Sequence, residues 1–339
     1  MNKRVLRSDI LLLVTAAIWG FGFVAQRSGM EHIGPFGFNG VRFILGSLFL
    51  LPFIFINRNR LSSIKTSSAN LLPASLAVGS CLFIAVSLQQ IGIIFTTAGN
   101  AGFITGFYVV LTPIFGILLG RKTGIATWTG SILTLLGLYF ISVAGQPSIN
   151  PGDIIVIISA FFWAAHVLLI DRLMQGKPET PVDAVELSFG QFAVCGVFSL
   201  LCAFTIEPVF GALIRHIDPF LLSSGLFGWL PFPDLVSSVK SGAVSFPVQA
   251  LVPVLYGGLC SVGIAYTLQV IAQRDAPPAH ATIILCFEGC FAALGGVLLL
   301  GEKTGMWTFF GFIFMLTGMI STQWEVIARG QGKKDETLS

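Results

Sequence analysis

The chain has 339 residues, 54% of them hydrophobic and only 10% charged, with a mean hydropathy of +0.86. Soluble domains carry roughly 25% charged residues. A water-soluble fold of this size would lack polar surface, so a cytosolic enzyme is excluded and most of the chain is assigned to lipid. The net charge of +3 gathers into no basic patch once the loops are counted, which removes nucleic-acid binding.

In chain order, Lys3, Arg4 and Arg7 precede an apolar run from Ile10, superficially like a signal peptide. No small-residue cleavage site follows, and the run to Gln26 and Arg27 is long enough to span, so it reads as a first transmembrane helix. Residues 66–120 contain no Asp, Glu, Lys or Arg. As one helix they would extend about 80 Å, against a hydrocarbon core roughly 30 Å thick. The run therefore folds back, with 92–100 as the natural turn. The same rule predicts ten spans, at 10–28, 36–56, 71–91, 99–120, 126–144, 152–170, 184–205, 249–272, 279–300 and 305–324.

Lysine and arginine set the orientation. With a cytoplasmic N-terminus the inner segments hold fourteen of them and the outer loops three, Arg215, Lys240 and Lys303. Both termini are then inside. The stretch 206–248 is apolar around 219–232 but too short to span there, and prolines at 208, 219, 231, 233 and 247 break it. It reads as one or two short helices lying at the outer membrane face. The six cysteines sit in apolar stretches without CxxC pairs, so neither a disulfide framework nor a zinc site is expected.

The second half echoes the first. Asp9 and Trp19 match Asp153 and Trp163 at an offset of 144, and Gly120–Gly124 matches Gly301–Gly305 at 181. At that second offset Thr127, Gly130 and Gly137 match Thr308, Gly311 and Gly318, while Ser87-Leu88-Gln89 lines up with Thr267-Leu268-Gln269. Matches in this order indicate a repeat. The growing offset places an insertion of about thirty residues between the seventh and eighth spans, in the long outer loop. Five spans per repeat is an odd number, so the halves enter the membrane from opposite sides. The expected fold is an all-α integral membrane protein, ten transmembrane helices as two inverted five-helix repeats (1–144 and 152–324, with the insertion 206–248) and a cytoplasmic tail at 325–339. Inverted repeats belong to secondary transporters, whose sites lie near the midplane at the repeat interface.

The segments IWGFGFVAQ at 18–26, VRF at 41–43, LTPIFGILLGRKTG at 111–124 and FEGCFAALGGVLLLGEKTG at 287–305 resemble the EamA-type branch of the drug/metabolite transporter superfamily. The resemblance runs from about residue 10 to 324. It implies ten helices, a central cavity lined mainly by the first four helices of each repeat, and export or exchange of small metabolites, often amino acids or their derivatives. Two departures stand out. Gly289 occupies the place where the family commonly has proline after the glutamate, which bears on the local bend, and the outer loop is unusually long.

Polar residues inside the spans are the site candidates. Glu288 is near the bilayer centre, where an ionised carboxylate costs about 2.5–3.5 kcal/mol on insertion scales, favouring protonation or a partner. It reads as a proton-coupling or substrate-amine group, the alternative being a structural hydrogen bond. His280, two turns earlier, is either a relay or an interfacial histidine. His166 lies well inside its span, three residues after Trp163. Trp19, Phe23 and Gln26 form one helical stripe, suited to lining a cavity or to packing. Gln89 and Gln269 occupy matching repeat positions and either bind substrate or tie helices together. Asn100 reads as structural. Tyr108 and Tyr266 are cavity candidates of lower rank. Arg42 either snorkels outward or attracts a substrate carboxylate. Arg121 and Lys122 are assigned to topology alone.

No GxxxxGK[ST] loop occurs, so ATP-driven pumping has no machinery. The expected function is a secondary transporter working by alternating access, proton-coupled or facilitative, in the plasma membrane (a bacterial inner membrane). A membrane-embedded lipid-modifying enzyme is the alternative, although the four histidines are scattered and no HxxxH or DxxD cluster occurs. A channel would carry a ring of charge or carbonyls, and a nonconducting interaction partner is a further class. The expected partners are a small-molecule metabolite and membrane lipids, with a homodimer admitted; no cofactor, metal or nucleic acid is expected.

Overall fold

In lipid every backbone polar group must be satisfied internally, and apolar runs of this length meet that demand as helices. The computed structural model describes residues 3–30, 32–61, 68–96, 98–121, 123–142, 151–175, 182–216, 248–300 and 305–335, and among these all regular structure is helical. In chain order come α1 (Lys3–Met30), α2 (Pro35–Leu61), α3 (Ser68–Phe95), α4 (Ala98–Thr105), α5 (Tyr108–Leu118), α6 (Ile125–Ser142), α7 (Pro151–Met174) and α8 (Ala184–His216). Then follow α9 (Val248–Leu255), a π-helical stretch (Tyr256–Tyr266), α10 (Thr267–Ala272), α11 (Pro278–Leu285), α12 (Glu288–Leu300) and α13 (Met306–Asp335).

Among the described residues seven helical stretches are long and apolar enough to cross a membrane: Arg4–Met30, Pro35–Ile56, Asn70–Phe95, Gly152–Met174, Ala184–Val209, Val248–Ala272 and Pro278–Leu299. Three shorter apolar helices, Tyr108–Leu118, Ile125–Phe140 and Phe309–Thr322, stand where the other expected spans fall. Exposed Phe55, Ile56, Ile125, Val209, Val252 and Phe309 give the bundle an apolar outer surface, as lipid contact requires.

Several details depart from the sequence reading. The turn expected within 92–100 lies at Thr96, between Phe95 and Ala98. α8 runs on to His216, beyond the expected end at 205, while 217–247 falls outside the described residues. Gly301–Thr304, Lys122, Lys240 and the side chain of Asn100 also lie outside them.

The packing positions the centre. α1 lies against α12, and α7 against α4 and α5; α3 packs on α7 and α8, and α1 also on the π-helical stretch. α6 and α13 pair at the side of the bundle. Their backbones meet closely: a Cβ added to Gly130 would stand 2.8 Å from the Gly318 carbonyl oxygen, and one added to Gly318 2.7 Å from that of Gly130. Gly137 faces the Gly311 carbonyl at 2.7 Å in the same sense. Small residues at such a seam let backbones approach and gain dispersion where no hydrophobic drive exists.

At one end of the bundle, polar contacts tie helices together: the ion pairs of Arg121 with Asp171 and of Arg274 with Asp183 at 3.4 Å, and the hydrogen bond between His280 Nε2 and Asp9 Oδ1 at 2.8 Å. Arg121 therefore does more than set topology. It is held in place by a helix stop at Gly120 (φ +78°), where Gly120 N–H donates to Ile117 O and Arg121 N–H to Gly116 O, the paired bonds of a Schellman cap. At the other end Glu207 accepts from the Phe36 and Gly37 amides at the start of α2, and Thr96 Oγ1 donates to Asp153 Oδ1 at 2.5 Å.

A candidate central cavity

Two helices are broken at matching places. Between α4 and α5, Phe107 N–H donates to Ile104 O and Val109 N–H to Gly106 O; between α11 and α12, Phe287 N–H donates to Ile284 O and Gly289 N–H to Cys286 O. These tight i→i+3 bonds recur with the same spacing in both halves, and no proline sits at either break. The breaks also touch, since the Cys286 thiol lies 3.7 Å from the Gly106 carbonyl oxygen. The bend left open by Gly289 is therefore present without the family's usual proline.

Beside this crossing lies a cavity lined by residues of both halves of the chain. Its aromatic wall centres on Tyr266. The Trp19 ring lies 4.5 Å from it, Trp163 stacks on it at 6.1 Å and 16°, and Phe43 and Phe192 each approach to 5.9 Å. Trp19 Nε1 donates to the Ser261 carbonyl at 3.2 Å, which anchors α1 on the π-helical stretch. α1 comes close to α12 because residue 20 is glycine: a Cβ there would stand 2.6 Å from Glu288 O and 2.8 Å from Ala292 N.

Of the ten sequence candidates, Trp19, Gln26, Arg42, Gln89, Tyr108, Trp163, Gln269 and Glu288 all line this cavity. Gln89 Nε2 donates to Thr105 Oγ1 at 2.9 Å, whereas Gln26 Oε1, Trp163 Nε1 and Gln269 Oε1 are buried with no hydrogen-bond partner among the described residues. Such orphaned groups are uncommon in interiors and call for a ligand or water. Arg42 does not snorkel outward; it is 2% exposed and packs over Phe38 and Phe43. Glu288 opens α12 with no ion pair among the described residues.

Two candidates stand apart. His166 sits behind the wall, edge-on to Trp163 and Tyr266, with Nε2 2.9 Å from Gln191 Oε1. His280 bonds Asp9 and Thr322 near the end of the bundle, away from the cavity lining. Among the described residues no group of three or more His, Cys, Asp or Glu could hold a metal.

A family profile described as the EamA-like transporter family matches residues 6–143 and again 150–322. The chain belongs to the EamA-like transporter family. Similar proteins include an uncharacterized transporter of Archaeoglobus fulgidus, 28% identical over 317 residues and covering 93% of this chain and 85% of that one. The uncharacterized transporter YoaV of Bacillus subtilis is 25% identical, with 91% and 94% covered. The uncharacterized inner membrane transporter YedA of Escherichia coli is 25% identical over 61% of this chain and 74% of its own length. A solved crystal structure of 15% identity superposes with a TM-score of 0.69, covering 96% of this chain and 98% of the other, and supports the fold.

In this EamA-like protein the cavity residues that sequence reasoning passed over are Thr105, Val167, Ser261 and Leu285, while Tyr266, ranked low, stands at the centre of the wall. Thr105 had no signal, since its place depends on the helix break that it immediately precedes. Ser261 had none, because its position depends on the π-helical stretch.

Proposed function

We propose that this protein is a secondary transporter that exports or exchanges small metabolites, amino acids or their derivatives, by alternating access between two inverted five-helix repeats. The observation that carries the reading is the cavity beside the two matching helix breaks, lined from both halves. Discontinuous helices meeting at the repeat interface are the usual framework of carrier sites. The repeat is supported by the seam of α6 and α13, where Gly130 meets Gly318 and Gly137 meets Gly311. Sequence pairs Gly130 with Gly311 and Gly137 with Gly318, so the contacts cross over as a two-fold axis demands. Glu288 is the proton-coupling group in this scheme. The membrane is a bacterial inner membrane, with ten spans and both termini cytoplasmic.

Vesicles holding the purified protein and loaded with labelled amino acids and nucleoside-like metabolites test the carrier against the lipid-modifying enzyme. Movement of a solute down its gradient is expected; chemical conversion without movement overturns the carrier. Orientation is checked on whole cells with an impermeant thiol reagent. A cysteine introduced within 206–248 should react and one at 60–65 should not, and the reverse pattern refutes the topology.

A further inference from the structure

Arg42 is built into the cavity in a way that its packing alone does not explain. Its Nε donates to Asn39 Oδ1 at 3.0 Å, and the Asn39 amide is itself fixed by donating from Nδ2 to the Val86 carbonyl at 3.3 Å. The stem passes Gly257 so closely that an added Cβ would stand 3.3 Å from Arg42 Cδ. The guanidinium lies 5.0 Å from the centre of the Phe43 ring and 5.4 Å from that of Phe38. These contacts set its direction while leaving both terminal nitrogens without a protein acceptor among the described residues. A guanidinium stays protonated in proteins, and burying an unpaired charge is costly. The side chain is 2% exposed and lines the cavity, so the cavity is the side from which an anion can reach it.

Resting on the carrier reading, we propose that Arg42 receives the carboxylate of the transported solute, and that the solute is a monoanionic carboxylate on a ring-sized apolar body. The end of the planar fork, with one N–H from each terminal nitrogen, matches a carboxylate in a bidentate pair. One guanidinium neutralises one negative charge, whereas a phosphate monoester carries about −1.5 to −2 and would leave charge uncompensated in a cavity that also holds Glu288. The apolar body is accommodated by the cavity wall of Tyr266, Trp19 and Trp163.

The test is equilibrium binding to the full-length protein in lipid nanodiscs, followed by titration calorimetry. The probes are 3-phenylpropanoate and 3-indolepropanoate, their carboxamides, and 2-phenylethyl phosphate. At least one acid should bind about 30-fold more tightly than its amide, the range of a charge-assisted hydrogen bond, and more tightly than the phosphate ester. Arg42→Gln should erase the preference for acid over amide, and Arg42→Lys should keep it in weakened form. Amides binding as well as acids, a tighter phosphate ester, no binding by either acid, or an unchanged preference in Arg42→Gln each overturns the assignment. The wild-type comparison of acid with amide stands even if a variant does not fold. Vesicle flux separates the two readings: acid preference without movement refutes the carrier alone, and unaltered flux of a screened solute through Arg42→Gln refutes the Arg42 role alone.

Discussion

The two sequence-related halves share a backbone plan and differ in the charges they carry. Both break a helix at the same point, and both present a tryptophan to Tyr266 and a phenylalanine beside it. Yet Arg42 precedes Phe43 in the first half, while the residue preceding Phe192 in the second is Gln191, which bonds His166 and carries no charge. Conversely Tyr108 follows the first break, and Glu288 follows the second. One half thus supplies the cation and the other the acid. The lesson is that two halves can share one backbone plan while the charged side chains lining the cavity are divided between them, and under the carrier proposal solute and proton would then meet different sides.

The comparison breaks most sharply at Glu288. Glu288→Gln keeps the shape but releases no proton, and pH-driven accumulation in vesicles should fall at least about tenfold, within the usual range of a coupling free energy. Tyr108→Phe, at the matching place, should leave the pH dependence as it was. An unchanged profile in Glu288→Gln makes that residue structural.

A second difference is steric. Trp19 is followed by Gly20 and Trp163 by Ala164, which is fully buried. Gly20→Ala forces α1 away from α12 and should cost about 1–3 kcal/mol. Ala164→Gly, which only removes a methyl and loosens a helix, should cost about 1 kcal/mol. Thermal unfolding in detergent compares the two, and equal losses would mean that α1 is not the tighter of the pair. A further modest effect is expected at the helix stop of the first half. A Cβ on Gly120 meets nothing within 4 Å, so Gly120→Ala should cost only the roughly 1–2 kcal/mol of a left-handed backbone, measurable by the same melt. A loss much above that would show that Arg121 and Asp171 are displaced as well.

Apolar length along the chain revealed where helices lie, because a hydrocarbon slab fixes how far an apolar run can go. It did not reveal where they break. Pro52, Pro73, Pro113, Pro208 and Pro253 all sit inside helices, whereas the breaks at Gly106–Phe107 and Cys286–Phe287 have none and lie where the two broken helices touch. Repeat arithmetic found Trp19, Trp163, Gln89 and Gln269, since equivalent positions in two facing halves converge on one centre. Depth alone did not place His280 and His166 relative to the cavity: it locates a side chain along the membrane normal but not the side toward which it points. His280 turns to Asp9 and His166 to Gln191. Tyr266 was underrated for the converse reason. Its place at the centre of five rings comes from the fold of the π-helical stretch, which leaves no periodic mark in the sequence.

The glycine seam between α6 and α13 carries a lesson about origin and assembly. Each side offers the other the same pattern of small residues in reverse order, so the seam is self-complementary. Two separate copies of a single five-helix chain would dock through such a surface without any change of partner. The present polypeptide then resembles a dimer whose subunits are joined end to end and differ in their charged residues. Within one chain the two halves need not be identical, so the arginine can stand in one alone and the glutamate in the other alone.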